Sequence, residues 1–168
     1  MLKKEQTIEK LTRQTIGGQS TLLKFLQNIL NEDRDDIRHI ELTYFSLSVT
    51  TFFYLQFGGE EDKKELLDEV NHTVFSKSIP ALQEDLRLEQ AQNEYELRLE
   101  EYSNLIVDLL DESNEDTPVV SLFIHFYEST MQMSAKDKIF DTAKVGRIMS
   151  KYIIDNIKLV KKSVAANN

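Results

Sequence analysis

Each of the three histidines in this chain has an acid three residues away: Asp36 with His39, Glu69 with His72, and His125 with Glu128. On a helix such a pair shares one face. Two Glu-x-x-His pairs plus two further inward glutamates hold two metal ions in carboxylate bundles. Only Glu69 and His72 match that pattern literally, and Asp36 falls in a first helical turn. The ligand set cannot be completed, so no metal site and no cofactor are expected. In a chain with 29 acids, the bland explanation is chance placement beside surface or capping histidines.

Nucleophilic chemistry finds no better footing. There is no cysteine, which removes thiolate ligands, disulfides and a cysteine nucleophile together. No serine lies in a Gly-x-Ser-x-Gly setting. Gly17-Gly18-Gln19-Ser20-Thr21 lacks the spaced glycine and the Gly-Lys-Ser/Thr ending of a phosphate loop. No catalytic residue is assigned, and the chain is not expected to be an enzyme; Glu69 and His72 carry the weakest of the functional readings.

A polar line, His39, Thr43, Ser46 and Thr50, runs at steps of four, three and four through an otherwise apolar segment. It has two readings. The hydroxyls bond back to carbonyls one turn earlier. Alternatively they line a pocket, with His125 opposite, in a small-molecule-sensing or metal-binding bundle.

Charge supplies the main functional signal. The net charge is −9, unevenly spread. Residues 60–116 hold five basic and eighteen acidic side chains, a net of −13, while residues 1–24 carry +3 and residues 134–168 carry +5. A solvated face is one explanation. The functional reading is a docking surface for a protein partner with a basic surface, whose association the charge would speed. The residues expected to carry it are Glu94, Glu96, Glu100, Glu101, Asp108, Asp111 and Glu112. Nucleic acid is not the expected partner, because a chain at −9 repels phosphate over most of its surface.

The element that must position all of this is residues 37–57, the most apolar and aromatic stretch of the chain. It is apolar on nearly every side, so other helices or lipid must wrap it. Arg38, His39, Glu41 and six scattered hydroxyl or amide residues argue against lipid. It is expected to be the buried central helix of a bundle.

Around it the spacing predicts an all-α single domain over residues 1–168, with six or seven helices. Residues 1–16 form a loosely packed N-terminal helix broken by Gly17-Gly18, and a second helix follows from Ser20 or Thr21. Gly58-Gly59 stops the central helix. Ser78-Ile79-Pro80 breaks the next one. The longest helix spans 81–110, with a seam from Leu88 to Leu109 through which a homodimer could form. Thr117-Pro118 starts an apolar helix. Ser134 caps a last helix from Ala135, and residues 163–168 fray. The charged start lacks an apolar export segment and the chain has no cysteine; both point to a cytoplasmic protein.

Overall fold

The computed structural model describes residues 2–58, 63–82, 87–111 and 118–165. Among them the chain is all-α and forms one compact bundle. Six helices follow in order: α1 (Leu2–Ile29), α2 (His39–Phe57), α3 (Lys63–Leu82), α4 (Leu88–Leu110), α5 (Pro118–Met131) and α6 (Thr142–Ala165). Short 3₁₀ turns at Arg34–Asp36 and Ala135–Asp137 precede α2 and α6. No helix of the described residues is long and apolar enough to cross a membrane.

The helix α2 packs against all five others. Those five close a ring around it, in the order α1, α3, α4, α5, α6 and back to α1. Every residue from Ile40 to Tyr54 is buried, which accounts for a helix with no polar face. Phe45 shows how the ring is stitched. Its side chain meets Tyr102 of α4 at 4.9 Å, Phe126 of α5 at 4.7 Å and Tyr152 of α6 at 5.8 Å between ring centroids. The last turn of α2 leaves the core: Leu55 and Phe57 are exposed.

The structure corrects several expected boundaries. The helix α1 does not break at Gly17-Gly18 but runs through both glycines for 28 residues. Each glycine costs roughly 1 kcal/mol against alanine in a helix. Tertiary packing offsets this, because Leu11, Thr15, Leu22 and Leu26 on either side are fully buried. Residues 1–16 are therefore no separate, loose helix but, from Leu2 on, the first half of α1. The fusion brings the helix total among the described residues to six.

Ser78-Ile79-Pro80 is no break either. The proline lies inside α3, in its last turn. Ser78 does not cap; it accepts a hydrogen bond from Gln19 Nε2 at 3.2 Å and ties α3 to α1. The helix expected at 81–110 starts instead at Leu88. Of its expected seam, Ala91, Tyr95, Tyr102 and Ile106 are buried within the bundle, while Leu88 is exposed.

Ser134 caps only the 3₁₀ turn, accepting the Lys136 N–H at 3.3 Å. The chain then stays extended so that Phe140 can enter an aromatic cluster, 4.9 Å from Tyr127 and 5.0 Å from Phe123. Asp141 restarts the helix by accepting the Lys144 N–H at 2.9 Å. Residues 163–165, expected to fray, belong to α6, and Ser163 is buried; residues 166–168 lie outside the described residues. The central helix itself begins at His39, two residues later than expected, because Ile37 closes the preceding turn.

Candidate functional site

The polar line of α2 is built into the packing. Thr43, Ser46 and Thr50 are fully buried. Thr50 donates to the Ser46 carbonyl one turn back at 3.0 Å. Ser46 Oγ donates across to the Thr15 carbonyl of α1 at 2.7 Å and accepts from Tyr152 of α6 at 3.0 Å. The Ser46 hydroxyl therefore bolts both α1 and α6 to α2, and Thr50 Oγ1 adds a contact to α1 by accepting from Thr15 Oγ1 at 3.3 Å. His39 instead faces outward, with Nε2 3.3 Å from the Arg34 carbonyl. His125 lies on the other side of the bundle, against Glu101 and Tyr102. The five residues do not converge on a pocket.

The acid–histidine pairs also separate. Glu69 binds Lys4 at 2.6 Å. Glu128 accepts the Ala135 N–H at 2.7 Å. No group of three or more metal-ligating side chains forms among the described residues.

A charged network that the sequence reading missed crosses from α2 to α4. Glu41 is fully buried on the central helix. Arg98 of α4 donates to both of its oxygens, Nε to Oε2 at 3.1 Å and Nη2 to Oε1 at 3.1 Å. Arg38 adds a second guanidinium group, donating to Oε1 at 2.6 Å. Each arginine then reaches one further acid: Arg38 binds Glu94 at 2.7 Å, and Arg98 binds Glu101 at 2.7 Å. Tyr44 donates to Glu94 at 3.1 Å, and His125 lies 3.2 Å from Glu101.

Burial pushes the Glu41 carboxyl above its ordinary value, against the pull of the two guanidinium groups. Partial burial raises Glu94 and Glu101 as well. There the arginine hydrogen bonds win, and both end below the ordinary carboxylate range. A signal for this network was present. Glu41 stands in the most apolar stretch, and a buried acid needs a cationic partner. Arg98 is the one basic residue in α4.

The network divides the acidic residues assigned to partner binding. Glu94 and Glu101 are paired with the arginines, Glu94 half-buried and Glu101 still exposed. Glu96, Glu100 and Asp108 are exposed and form no ion pair among the described residues. Asp111 is exposed at the C-terminal end of α4, and Glu112 lies outside the described residues. The outward acids are interleaved with apolar side chains. Leu97 is 65% exposed between Glu96 and Glu100, and Val107 is 54% exposed beside Asp108.

No protein-family model, curated protein or solved structure matches the chain.

On the far side of the bundle, α1 and α6 leave a half-open groove of about 750 Å³. Its wall includes Tyr152 and Gly18, which back directly onto Ser46. None of His39, Thr43, Ser46, Thr50 or His125 lines it.

Proposed function

We propose that this protein is an interaction module that docks a basic partner protein through the exposed face of α4. The observation carrying this reading is the Leu97 side chain, held in solvent between two acids, Glu96 and Glu100, that form no ion pair among the described residues. An apolar centre rimmed by charge is the usual anatomy of a protein contact. The electrostatics of α4 agree. Asp108 and Asp111 occupy its C-terminal end, where the helix dipole disfavours anions, and no basic residue sits in that turn. Asp108, which forms no ion pair among the described residues, therefore costs helix stability, which a solubilising role would not require at this end.

Glu96, Glu100, Asp108 and Asp111 are the contact acids in this reading, with Leu97 and Val107 as apolar anchors. Glu94 and Glu101 set the shape of the face from behind through Arg38 and Arg98. The partner would present a basic, partly apolar segment. The role would be that of an inhibitor, immunity-type or regulatory adaptor protein in the cytoplasm, a setting that rests on the cysteine-free composition.

The test is affinity capture by the tagged chain from its own cell lysate, at low and high salt, beside the Glu96→Lys/Glu100→Lys and Leu97→Ser variants. A basic partner retained at low salt, released at high salt and lost from both variants is the expected result. Capture that neither variant changes would remove the α4 face from the reading.

A further inference from the structure

The two glycines of α1 differ in what they do. A Cβ on Gly18 would run into Ser46 Oγ and lie 2.6 Å from the Tyr152 hydroxyl, so close packing requires that glycine. A Cβ on Gly17 would meet nothing within 4 Å. Gly17 therefore costs α1 roughly 1 kcal/mol with no packing reason. What it does instead is keep open one wall of the groove between α1 and α6.

That groove has an apolar floor and a cationic rim. Leu22, Phe25 and Met149 line its bottom. Lys10, Arg13, Lys151 and Lys162 stand at its edges against a single acid, Asp155. Arg13 is engaged by Glu9, and Lys151 by Asp155. Lys10 and Lys162 form no ion pair among the described residues, and both are exposed. Two unengaged cations above an apolar trough call for one kind of occupant: an apolar body carrying an anionic head. The volume of about 750 Å³ lies inside the range of small-molecule sites.

We propose that the α1–α6 groove binds a small free amphiphile with a single carboxylate, such as a fatty acid. Its chain lies along Leu22, Phe25 and Met149 in the space that Gly17 leaves. Its carboxylate is met by Lys10 and Lys162. The site is separate from the α4 face and does not depend on the reading of that face. A concave trough between two helices admits a free acyl chain but not a bilayer surface.

The test is titration calorimetry of the full chain with dodecanoate below its micelle concentration, with dodecanol and anionic lipid vesicles as comparison probes. One saturable site for dodecanoate is expected, with binding at least about tenfold weaker to dodecanol. Gly17→Leu places a side chain in the open space and should abolish binding, whereas Gly17→Ala should keep it. Lys10→Glu/Lys162→Glu changes only surface charge and should weaken dodecanoate by about tenfold or more. Four outcomes would overturn the proposal: no saturable site, unchanged affinity in Gly17→Leu or in the lysine variant, equal affinity for dodecanol, or binding only to vesicles. A change in self-association in Gly17→Leu with dodecanoate affinity intact would make the groove a contact between copies and would likewise overturn it.

Discussion

Arg98 of α4 clasps the buried Glu41 of α2 from 57 residues away, with Nε 3.1 Å from Oε2 and Nη2 3.1 Å from Oε1. The carboxylate has no exposure to water, so these bonds replace its entire hydration shell on that side. Removing one partner of such a pair leaves a buried charge uncompensated and costs about 3–5 kcal/mol. Arg98→Met should destabilise the fold by about that amount in urea denaturation. Glu41→Leu/Arg98→Met should recover much of the loss, since it removes both charges. An Arg98→Met cost within about 1 kcal/mol of zero would show that Arg38 alone satisfies Glu41.

Acid should loosen the same network. Glu94 and Glu101 titrate below their ordinary value of 4.5 in the folded chain. A depressed folded pKa contributes stability that is present above the unfolded value and lost as pH falls through the folded one. Glu41 has the opposite sign. Its raised pKa makes its contribution largest when protonated and smaller as pH rises. Unfolding free energy followed below about pH 4.5 should therefore fall as pH drops, and Glu94→Gln/Glu101→Gln should flatten that limb. An unchanged slope in the double variant would mean that these carboxylates titrate alike in the folded and unfolded chain.

The glycines give a paired stability prediction. Gly18→Ala forces a methyl group against Ser46 and Tyr152 and should cost about 1–3 kcal/mol. Gly146→Ala places its methyl 3.5 Å from Val119, an ordinary contact, and should gain up to about 1 kcal/mol from helix propensity. Thermal melts of the two variants should shift in opposite directions. Equal shifts would contradict the close approach of α1 to α2 and α6.

The central helix also holds a hydroxyl that does nothing visible. Thr43 Oγ1 is buried without a hydrogen-bond partner among the described residues. An unpaired buried hydroxyl costs on the order of 1 kcal/mol or more. Thr43→Val keeps the shape and removes that group, so it should raise the melting temperature. A loss of stability would reveal a partner for the hydroxyl.

Much of the architecture was legible in the residues alone. An apolar run with no polar face had to become the central helix, because only burial on every side accommodates it; Ile40 to Tyr54 are buried without a break. Boundaries were less legible where a local rule met a tertiary contact. Gly17-Gly18 looks like a break until the burial of Leu11 and Leu26 is known, and Ser134 looks like the cap of a long helix until Phe140 finds its aromatic pocket.

The acidic face was legible as a charge total and illegible as a surface. The net of −13 over residues 60–116 followed from counting. Which acids are paired did not, because Glu94 and Glu96 are two residues apart on one helix, yet only Glu94 lies within reach of Arg38, just ahead of α2.

Composition and periodicity thus determined the all-α class, the identity of the central helix and the charge layout, since each depends on residues near one another in the chain. Tertiary structure alone decided which acids are consumed internally, where α1 can carry two glycines, and that a basic-rimmed groove exists between the first and last helices. Those outcomes depend on side chains up to 142 positions apart, as in the Gln14 contact to Asn156. Local sequence cannot encode such a meeting, because it is set by how five helices close around a sixth.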